Sequence, residues 1–199
     1  NGGELPAHGP IWVIDPLDGT TNFAHGFPVF SVTVALLLDR TPVLGVIYDP
    51  LRDELLWAEQ GRGAWCDGRR MQVAEADTLS QCLLATGFPY DRAATADNNL
   101  AEFSYFMPKT RGVRRAGSAA LDIGWVAAGR LNGYWERGVQ VWDVAAGVLM
   151  VREAGGVVTT YQGDPWQPGD RFIVAASRSL HPILLQGITA ARAAVIKQG

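Results

Sequence analysis

The hydrophobic pattern of the chain changes near residue 80, and this change limits the folds that the sequence can adopt. Before it, short apolar runs alternate with turn signals at Thr41-Pro42, Asp49-Pro50 and Asp67-Gly68, which predicts an antiparallel meander. After it, helical windows alternate with short strands, which favours a sheet covered by helices. The predicted strands are 11–14, 29–38, 43–48, 54–58, 63–66, 83–87, 132–136, 157–161 and 171–176, and the predicted helices are 96–108, 118–129, 143–154 and 179–197.

Several predicted helices carry recognisable end signals. Ser118 can cap the helix that follows Gly117, and Ser179 precedes a proline near the first turn of the last helix. Asp143 is expected to open the third helix as its N-cap, and Gly155-Gly156 to close it. No internal repeat or long linker separates the two halves of the chain, so we expect them to share one interface.

Composition and charge exclude several classes of protein. The 199 residues are 48% hydrophobic, and 17 basic against 20 acidic side chains give a net charge of −3. This composition excludes disordered and collagen-like chains, and its mild acidity argues against nucleic acid as the main partner. The longest mostly apolar run, 29–38, is about half of a bilayer crossing, so no membrane association is expected. Cys66 and Cys82 lack metal or disulfide spacing, which favours a reducing cytoplasm.

Two carboxylates follow directly on the first apolar strand. Asp15 and Asp18 are three residues apart, and the backbone carbonyl of Leu17 lies between them. Such hard oxygen ligands suit Mg²⁺. Backbone amides at Gly19 and Thr20 can bind a phosphate oxygen if a helix begins there. An isolated Asp-Pro-x-Asp-Gly segment is also ordinary turn chemistry, so the neighbouring motifs must decide between the two interpretations.

A second candidate site surrounds Trp142-Asp143. Asp143 can cap a helix and bind a metal ion at the same time, because one carboxylate can serve both roles. Seven residues upstream, Glu136 ends a predicted strand, where it can face a ligand hydroxyl. The alternative is a surface charge paired with Arg137. Trp135 and Tyr134 could form the aromatic platform for a base that a nucleotidase would require, although packing in the core is the expected role for both.

A third candidate is the stretch 114–120, where a strand leads through Gly117 into a helix. Free amides at that helix start favour an anion or a sugar hydroxyl, although an ordinary N-cap also explains Ser118. The chain has no GxxxxGK[ST], HExxH or GxSxG motif. The nucleotide-triphosphatase, zincin and serine-hydrolase classes are therefore not indicated.

Two long motifs carry a family resemblance. Residues 12–26, WVIDPLDGTTNFAHG, and residues 142–156, WDVAAGVLMVREAGG, resemble the two signatures of the inositol monophosphatase family. The shorter stretches 61–68 and 117–120 are also similar to that family. The resemblance covers nearly the whole chain, from Pro10 to the last helix.

The resemblance implies a Mg²⁺-dependent, Li⁺-sensitive phosphomonoesterase, usually a homodimer, with a layered αβαβα fold of the α+β class. Residues 1–80 would be the remainder of an N-terminal α+β lobe, and 81–199 a C-terminal α/β lobe. The implied metal ligands are Asp15, the Leu17 carbonyl, Asp18 and Asp143. Gly19 and Thr20 would contact the phosphate together with Asp18, and Thr20 would help to orient the attacking water. The implied contacts of the alcohol portion are Gly117, Ser118, Ala119 and Glu136, and Asp143 would also contact the substrate.

The sequence departs from the family at its start. A further metal-binding glutamate and an earlier acidic residue that helps to activate water have no match here, and the first helical layer is also missing. We therefore expect this chain to be part of a longer enzyme. Alone, it is expected to bind metal more weakly than a longer relative and to have little or no turnover.

The substrate is the most open question. The residues around 20–28 resemble the inositol monophosphatase branch, and Glu136 suits a polyol because a carboxylate accepts hydrogen bonds from ring hydroxyls. The alternatives are histidinol phosphate, sugar bisphosphates and 3′-phosphoadenosine 5′-phosphate. A non-catalytic regulatory relative with the same fold also stays open.

Overall fold

The computed structural model describes residues 5–196. Its strands are β1 (Pro10–Asp18), β2 (Ser31–Leu38), β3 (Thr41–Asp49), β4 (Glu54–Glu59), β5 (Gly63–Cys66), β6 (Arg69–Arg70), β7 (Leu83–Thr86), β8 (Gly112–Arg114), β9 (Gly133–Arg137), β10 (Val157–Thr159) and β11 (Phe172–Ala176). Its α-helices are α1 (Thr20–Ala24), α2 (Leu100–Phe106), α3 (Ala119–Ala127), α4 (Val141–Glu153) and α5 (His181–Ile196). Short 3₁₀ turns occupy Leu79–Gln81 and Met107–Lys109.

The first sheet is the predicted antiparallel meander, with strand order β1-β2-β3-β4-β5-β6. The hairpin turn at Asp67-Gly68 is confirmed, and both residues have positive φ as a tight turn between twisted strands requires. The predicted turn at Thr41-Pro42 is wrong. Asp39 and Arg40 make that turn with φ of 46° and 65°, and Pro42 lies inside β3 beside an irregularity in the ladder. Such an irregularity accommodates a residue without an N–H group.

The second sheet has the order β10-β11-β9-β7-β8. β7 pairs in parallel with both β8 and β9, and the remaining pairs are antiparallel. Helices α3 and α4 pack between the two sheets, and α2 and α5 lie together beyond the second sheet. The described residues thus form four layers, in the order sheet, helices, sheet, helices. The predicted α+β layered class is confirmed.

Close packing of α4 explains two glycines. A Cβ on Gly45 of β3 would lie 2.8 Å from the Ala146 Cα, and one on Gly147 would lie 2.1 Å from Cγ2 of Ile123. The helix therefore lies tightly between the first sheet and α3. On the opposite face of that sheet, Trp12 is 59% exposed. Within residues 5–196, no helix has the length and apolar character needed to cross a bilayer.

The helix predicted over 96–108 begins only at residue 100. Asn99 precedes it with a φ of 69°, and the Asn99 side chain accepts a 2.7 Å hydrogen bond from Trp135 Nε1. Asn99 Nδ2 also donates to the carbonyl oxygen of Gly87 at 2.6 Å. These tertiary bonds hold the segment 87–99 against β9, so the backbone there is not available for an earlier helical turn.

Candidate active site

A cavity of about 910 Å³ opens where the end of β1 meets the N-termini of α3 and α4 and the end of β9. Every site residue predicted from the sequence contributes to its wall. These residues are Asp15, Leu17, Asp18, Gly19, Thr20, Gly117, Ser118, Ala119, Glu136 and Asp143. Parts of the chain more than 120 residues apart in sequence therefore face one space.

Three carboxylates come together at one end of this cavity. One oxygen each from Asp15, Asp18 and Asp143 lies within 4.8 Å of the others. Residues three apart on a regular strand point to opposite faces, but the pairing of β1 with β2 is irregular between Asp15 and Asp18. This irregularity lets both side chains reach the cavity. We refer to Asp15, Asp18 and Asp143 as the cavity cluster.

Asp18 is buried and held by three donors. Its Oδ2 accepts hydrogen bonds from the hydroxyls of Ser31 and Ser118 and, at 3.1 Å, from the backbone N–H of Ala120. Burial raises the pKa of Asp18 to about 6, and the charge of Asp15 adds to this effect, while the hydrogen bonds oppose it. Asp18 therefore joins the end of β1 to the start of α3.

Asp143 lies in the first turn of α4. Its prediction as the N-cap is wrong, because Gln140 is the N-cap and its backbone N–H donates to Asp143 Oδ2 at 2.7 Å. The helix begins two residues earlier than expected, which places Asp143 where a capping-box acid normally stands. Burial raises the pKa of Asp143 to about 7, and the nearby charges of Asp18 and Asp15 raise it further.

The cavity cluster suits a hard divalent cation. Its donors are all oxygens and it is partly removed from water. Burial outweighs the hydrogen bonds that favour ionised Asp18 and Asp143, so their pKa values are raised and their charge calls for further compensation. A bound cation would supply that compensation. The cluster can therefore hold a metal ion.

The turn after β1 brings a hydroxyl and a carbonyl to the same place. Gly19 has a φ of 90°, and a Cβ there would lie 3.0 Å from the carbonyl oxygen of Val29. Thr20 opens the five-residue helix α1, and its hydroxyl donates to the Leu17 carbonyl at 2.9 Å. Glycine is required at this turn both for its backbone angle and for its small size.

Asn22 was not identified from the sequence, although it lies inside the first motif. Its Nδ2 donates to the carbonyl oxygens of Val29, at 2.7 Å, and Ala116, at 2.8 Å. These bonds join the turn after β1 to the segment before α3. The predicted cap on α3 is confirmed, because Ser118 Oγ accepts from the N–H of Leu121 at 3.2 Å.

Glu136 is a cavity residue and not a surface charge. The alternative pairing with Arg137 is wrong, because the Arg137 guanidinium instead contacts Asp91 at 2.9 Å and Asp97 at 3.2 Å. Burial raises the pKa of Glu136 to about 7, and a 2.6 Å hydrogen bond from the Tyr134 hydroxyl opposes that increase. Glu136 is thus a desolvated carboxyl fixed by a phenol.

The neighbourhood of Glu136 contains two features that the sequence analysis missed. A Cβ on Gly87 would lie 2.1 Å from Glu136 Oε2, so the space for this carboxyl depends on a glycine. Asp122 also lines the cavity, although it belongs to an apolar and small-residue helix. An acidic residue on such a helix was the sequence signal that could have identified Asp122 as a candidate site residue. Tyr134 and Trp135 are buried, which confirms their predicted place in the core.

Fold and site together define a layered α+β protein with a carboxylate cavity able to hold a metal ion. A model of the inositol monophosphatase family matches residues 1–196. The chain belongs to the inositol monophosphatase family, as the resemblance of its two motifs predicted.

Individual relatives support this assignment. The chain is 50% identical, over 90% of its length, to an inositol-1-monophosphatase of Synechocystis, and 47% identical, over 89%, to a protein of Pseudomonas aeruginosa named Nus factor SuhB. It spans only 62% and 66% of these two proteins. An inositol monophosphatase structure from Anabaena superposes with a TM-score of 0.91 at 48% identity, covering 94% of this chain and 74% of that one.

Proposed function

We propose that this protein hydrolyses a phosphate monoester with Mg²⁺ as its cofactor, and that the substrate is a myo-inositol monophosphate. The observation that carries the proposal is the cavity cluster itself, three carboxylates within 4.8 Å beside the turn at Gly19-Thr20. The relatives named inositol-1-monophosphatase support the choice of substrate.

The reaction explains why acidic residues surround the place of an anionic substrate. A phosphate monoester dianion repels the attacking nucleophile, and its alkoxide is a poor leaving group. Bound Mg²⁺ supplies activation of water for an in-line displacement and neutralises charge on the phosphoryl and leaving oxygens. In this proposal Asp15, Asp18, Asp143 and the Leu17 carbonyl hold the metal. The carboxylates thus bind a cation and not the substrate, which reconciles the net charge of −3 with an anionic ligand.

The remaining site residues position the reactants in this proposal. The backbone at Gly19 and Thr20 contacts the phosphate, and the Thr20 hydroxyl, which already donates to the Leu17 carbonyl, orients the attacking water. On the alcohol side, Glu136 accepts a hydrogen bond from a ring hydroxyl. The segment Gly117, Ser118 and Ala119 contacts the same portion of the substrate, and Asn22 holds that segment against the turn after β1.

The test is Mg²⁺-dependent phosphate release from myo-inositol 1-phosphate, with binding of this substrate measured in parallel. Asp143→Asn is expected to abolish release and to weaken Mg²⁺-dependent binding, whereas Glu54→Gln, a carboxylate outside the cavity, is the matched control. Mg²⁺-dependent binding without release would support the proposed ligand and contradict the proposed hydrolysis. If Mg²⁺ promotes neither binding nor release, the proposal is wrong.

A regulatory role is the second candidate, because several relatives are named Nus factor SuhB. Phosphate release that disappears in Asp143→Asn distinguishes the catalytic function from this one. We further propose that the protein is a homodimer of the cytoplasm. Its two free cysteines support that compartment, and light scattering measures the oligomeric state.

A further inference from the structure

Asp122 is a buried carboxyl without a complete set of partners. It lies on α3, where seven of nine residues are buried, and its side chain is only 1% exposed. Within the described residues, its Oδ1 has no hydrogen-bond partner. Buried polar atoms almost always have a partner, so this oxygen of a cavity-wall residue needs one that a ligand or water supplies.

The position of Asp122 within the cavity indicates what that ligand offers. Asp122 interacts electrostatically with Glu136, Asp18 and Arg115. It belongs to neither group of described residues that brings three metal-ligating atoms together, and the same is true of Glu136. Both carboxyls line the same cavity, one contributed by α3 and the other by β9.

Gly87 gives this wall its shape. The Glu136 carboxyl occupies the space that a side chain at residue 87 would fill, and the Tyr134 hydroxyl holds it there. Two carboxyls in fixed positions can accept hydrogen bonds from two different hydroxyls of one ligand. An alcohol with a single oxygen, already esterified to phosphate, has no hydroxyl to donate to either of them.

We propose that Asp122 is a specificity-determining residue that accepts a hydrogen bond from a second hydroxyl of the substrate, beside the hydroxyl bound by Glu136. The site thereby selects polyol phosphates over phosphate esters of plain alcohols. This inference rests on the proposed function and extends it from one hydroxyl contact to two. A site built to bond a hydroxyl discriminates strongly against an analogue that lacks it, because its buried polar groups are then left unpaired.

The experiment compares two ligands with the same ring size. Binding of myo-inositol 1-phosphate and of cyclohexyl phosphate is measured calorimetrically with Mg²⁺, for the wild-type chain, Asp122→Ala and Asp122→Asn. We expect the wild type to prefer the inositol phosphate, and Asp122→Ala to weaken its binding about 10- to 100-fold. Binding of cyclohexyl phosphate is expected to change less than about 3-fold. Asp122→Asn, which keeps one oxygen acceptor, is expected to show an intermediate loss.

Glu102→Gln is the matched control, because Glu102 is 2% exposed but pairs with Arg192 at 2.9 Å outside the cavity. It is expected to leave the preference between the two ligands unchanged. Equal losses for both ligands, or an unchanged preference in the Asp122 variants, would overturn the inference while the proposed function stands. Should Asp122→Ala not fold, Asp122→Asn alone decides. A wild-type chain that binds neither phosphate would overturn the proposed function and this inference with it.

Discussion

Two clusters in the described part of the chain bring three possible metal ligands within 4.8 Å of one another. The cavity cluster is Asp15, Asp18 and Asp143, and the other, which we term the sheet-edge cluster, is Glu54, Cys66 and Asp67. By distance alone the two are equivalent. Their surroundings are opposite, and that difference favours only one of them as the metal site that we propose.

The negative charge of the sheet-edge cluster is already compensated by the guanidinium of Arg130. Arg130 donates two hydrogen bonds of 2.6 Å to the two oxygens of Glu54, and these bonds lower the pKa of Glu54. Asp67 Oδ1 accepts from the N–H of Leu55 at 3.0 Å, which joins the turn after β5 to the start of β4. In the cavity cluster burial dominates instead, and the pKa values of Asp18 and Asp143 rise. Charge that burial leaves without a compensating partner, and not proximity, therefore favours the cavity cluster as the cation site that we propose.

The largest expected difference between the clusters is the response to Mg²⁺. At a concentration 100 times its Kd, the ion should raise the free energy of unfolding of the wild type by about 2.7 kcal/mol. Asp15→Asn should lose most of this gain, since its amide oxygen can keep the 3.0 Å bond from the Leu17 N–H but carries no charge. Glu54→Gln should keep the full gain. Thermal unfolding with and without Mg²⁺ measures both, and equal gains in the two variants would contradict the distinction.

The clusters should also respond to pH with opposite sign. In the metal-free protein, the pKa values of Asp18 and Asp143 lie above the ordinary 3.8. Their contribution to the free energy of unfolding is therefore fully present below about pH 4 and is lost as pH rises through about 6 to 7. The contribution of Glu54, whose pKa is lowered, is present above 4.5 and is lost as pH falls through its folded pKa.

Unfolding in EDTA between about pH 5 and pH 8 tests this sign. As pH rises, the free energy of unfolding of the wild type should fall by on the order of 1 kcal/mol more than that of Asp143→Asn, because the variant lacks one of the two titrating groups. Added Mg²⁺ should reverse the trend, since it binds the ionised carboxylates. The same pH slope in both proteins would show that burial does not penalise the charge of Asp143.

Replacing Arg130, the arginine that pairs with the sheet-edge cluster, should have a smaller effect on folding stability. Arg130→Met removes the bidentate partner of Glu54. Because the Arg130 side chain is 43% exposed, the free energy of unfolding is expected to fall by only about 0.5–1 kcal/mol. A double-mutant cycle with Glu54→Gln isolates the pair. The Mg²⁺ response of the cavity cluster should be unchanged, and a weakened response would mean that the two clusters are not independent.

The features predicted correctly from the sequence depend on residues that are close together in the chain. Asp15 and Asp18 both lie at the end of β1, and Asp67-Gly68 makes a tight hairpin because two adjacent residues accept positive φ. The hairpin at Asp39-Arg40 was misplaced because Arg40 is not a typical turn residue, whereas the proline two residues later is. The family resemblance of the two long motifs then assigned distant residues to one site, which hydrophobic periodicity alone does not do.

The features that were missed depend on distant neighbours. From the sequence, Glu136 could pair with the adjacent Arg137. In the structure Arg137 instead forms salt bridges with Asp91 and Asp97, about 40 residues earlier. Burial of Asp122 follows from the packing of α3 between two sheets, which no local pattern reports. The charge state of a carboxyl depends on its three-dimensional environment, so the candidate ligands were predictable while the raised pKa values of Asp18 and Asp143 were not.

The smallest expected effect concerns Cys66 of the sheet-edge cluster. Burial raises the pKa of its thiol, and the charge of Glu54 raises it further, so the neutral form prevails at pH 7. Because the thiolate is the metal ligand and the nucleophile, Cys66 should react more slowly with iodoacetamide than a free cysteine does. Cys66→Ser should change the free energy of unfolding by less than about 0.5 kcal/mol and leave Mg²⁺ binding unaltered. Rapid alkylation would show that Arg130 activates the thiol in addition to neutralising Glu54, and the sheet-edge cluster would then be a reactive site and not only an ion pair.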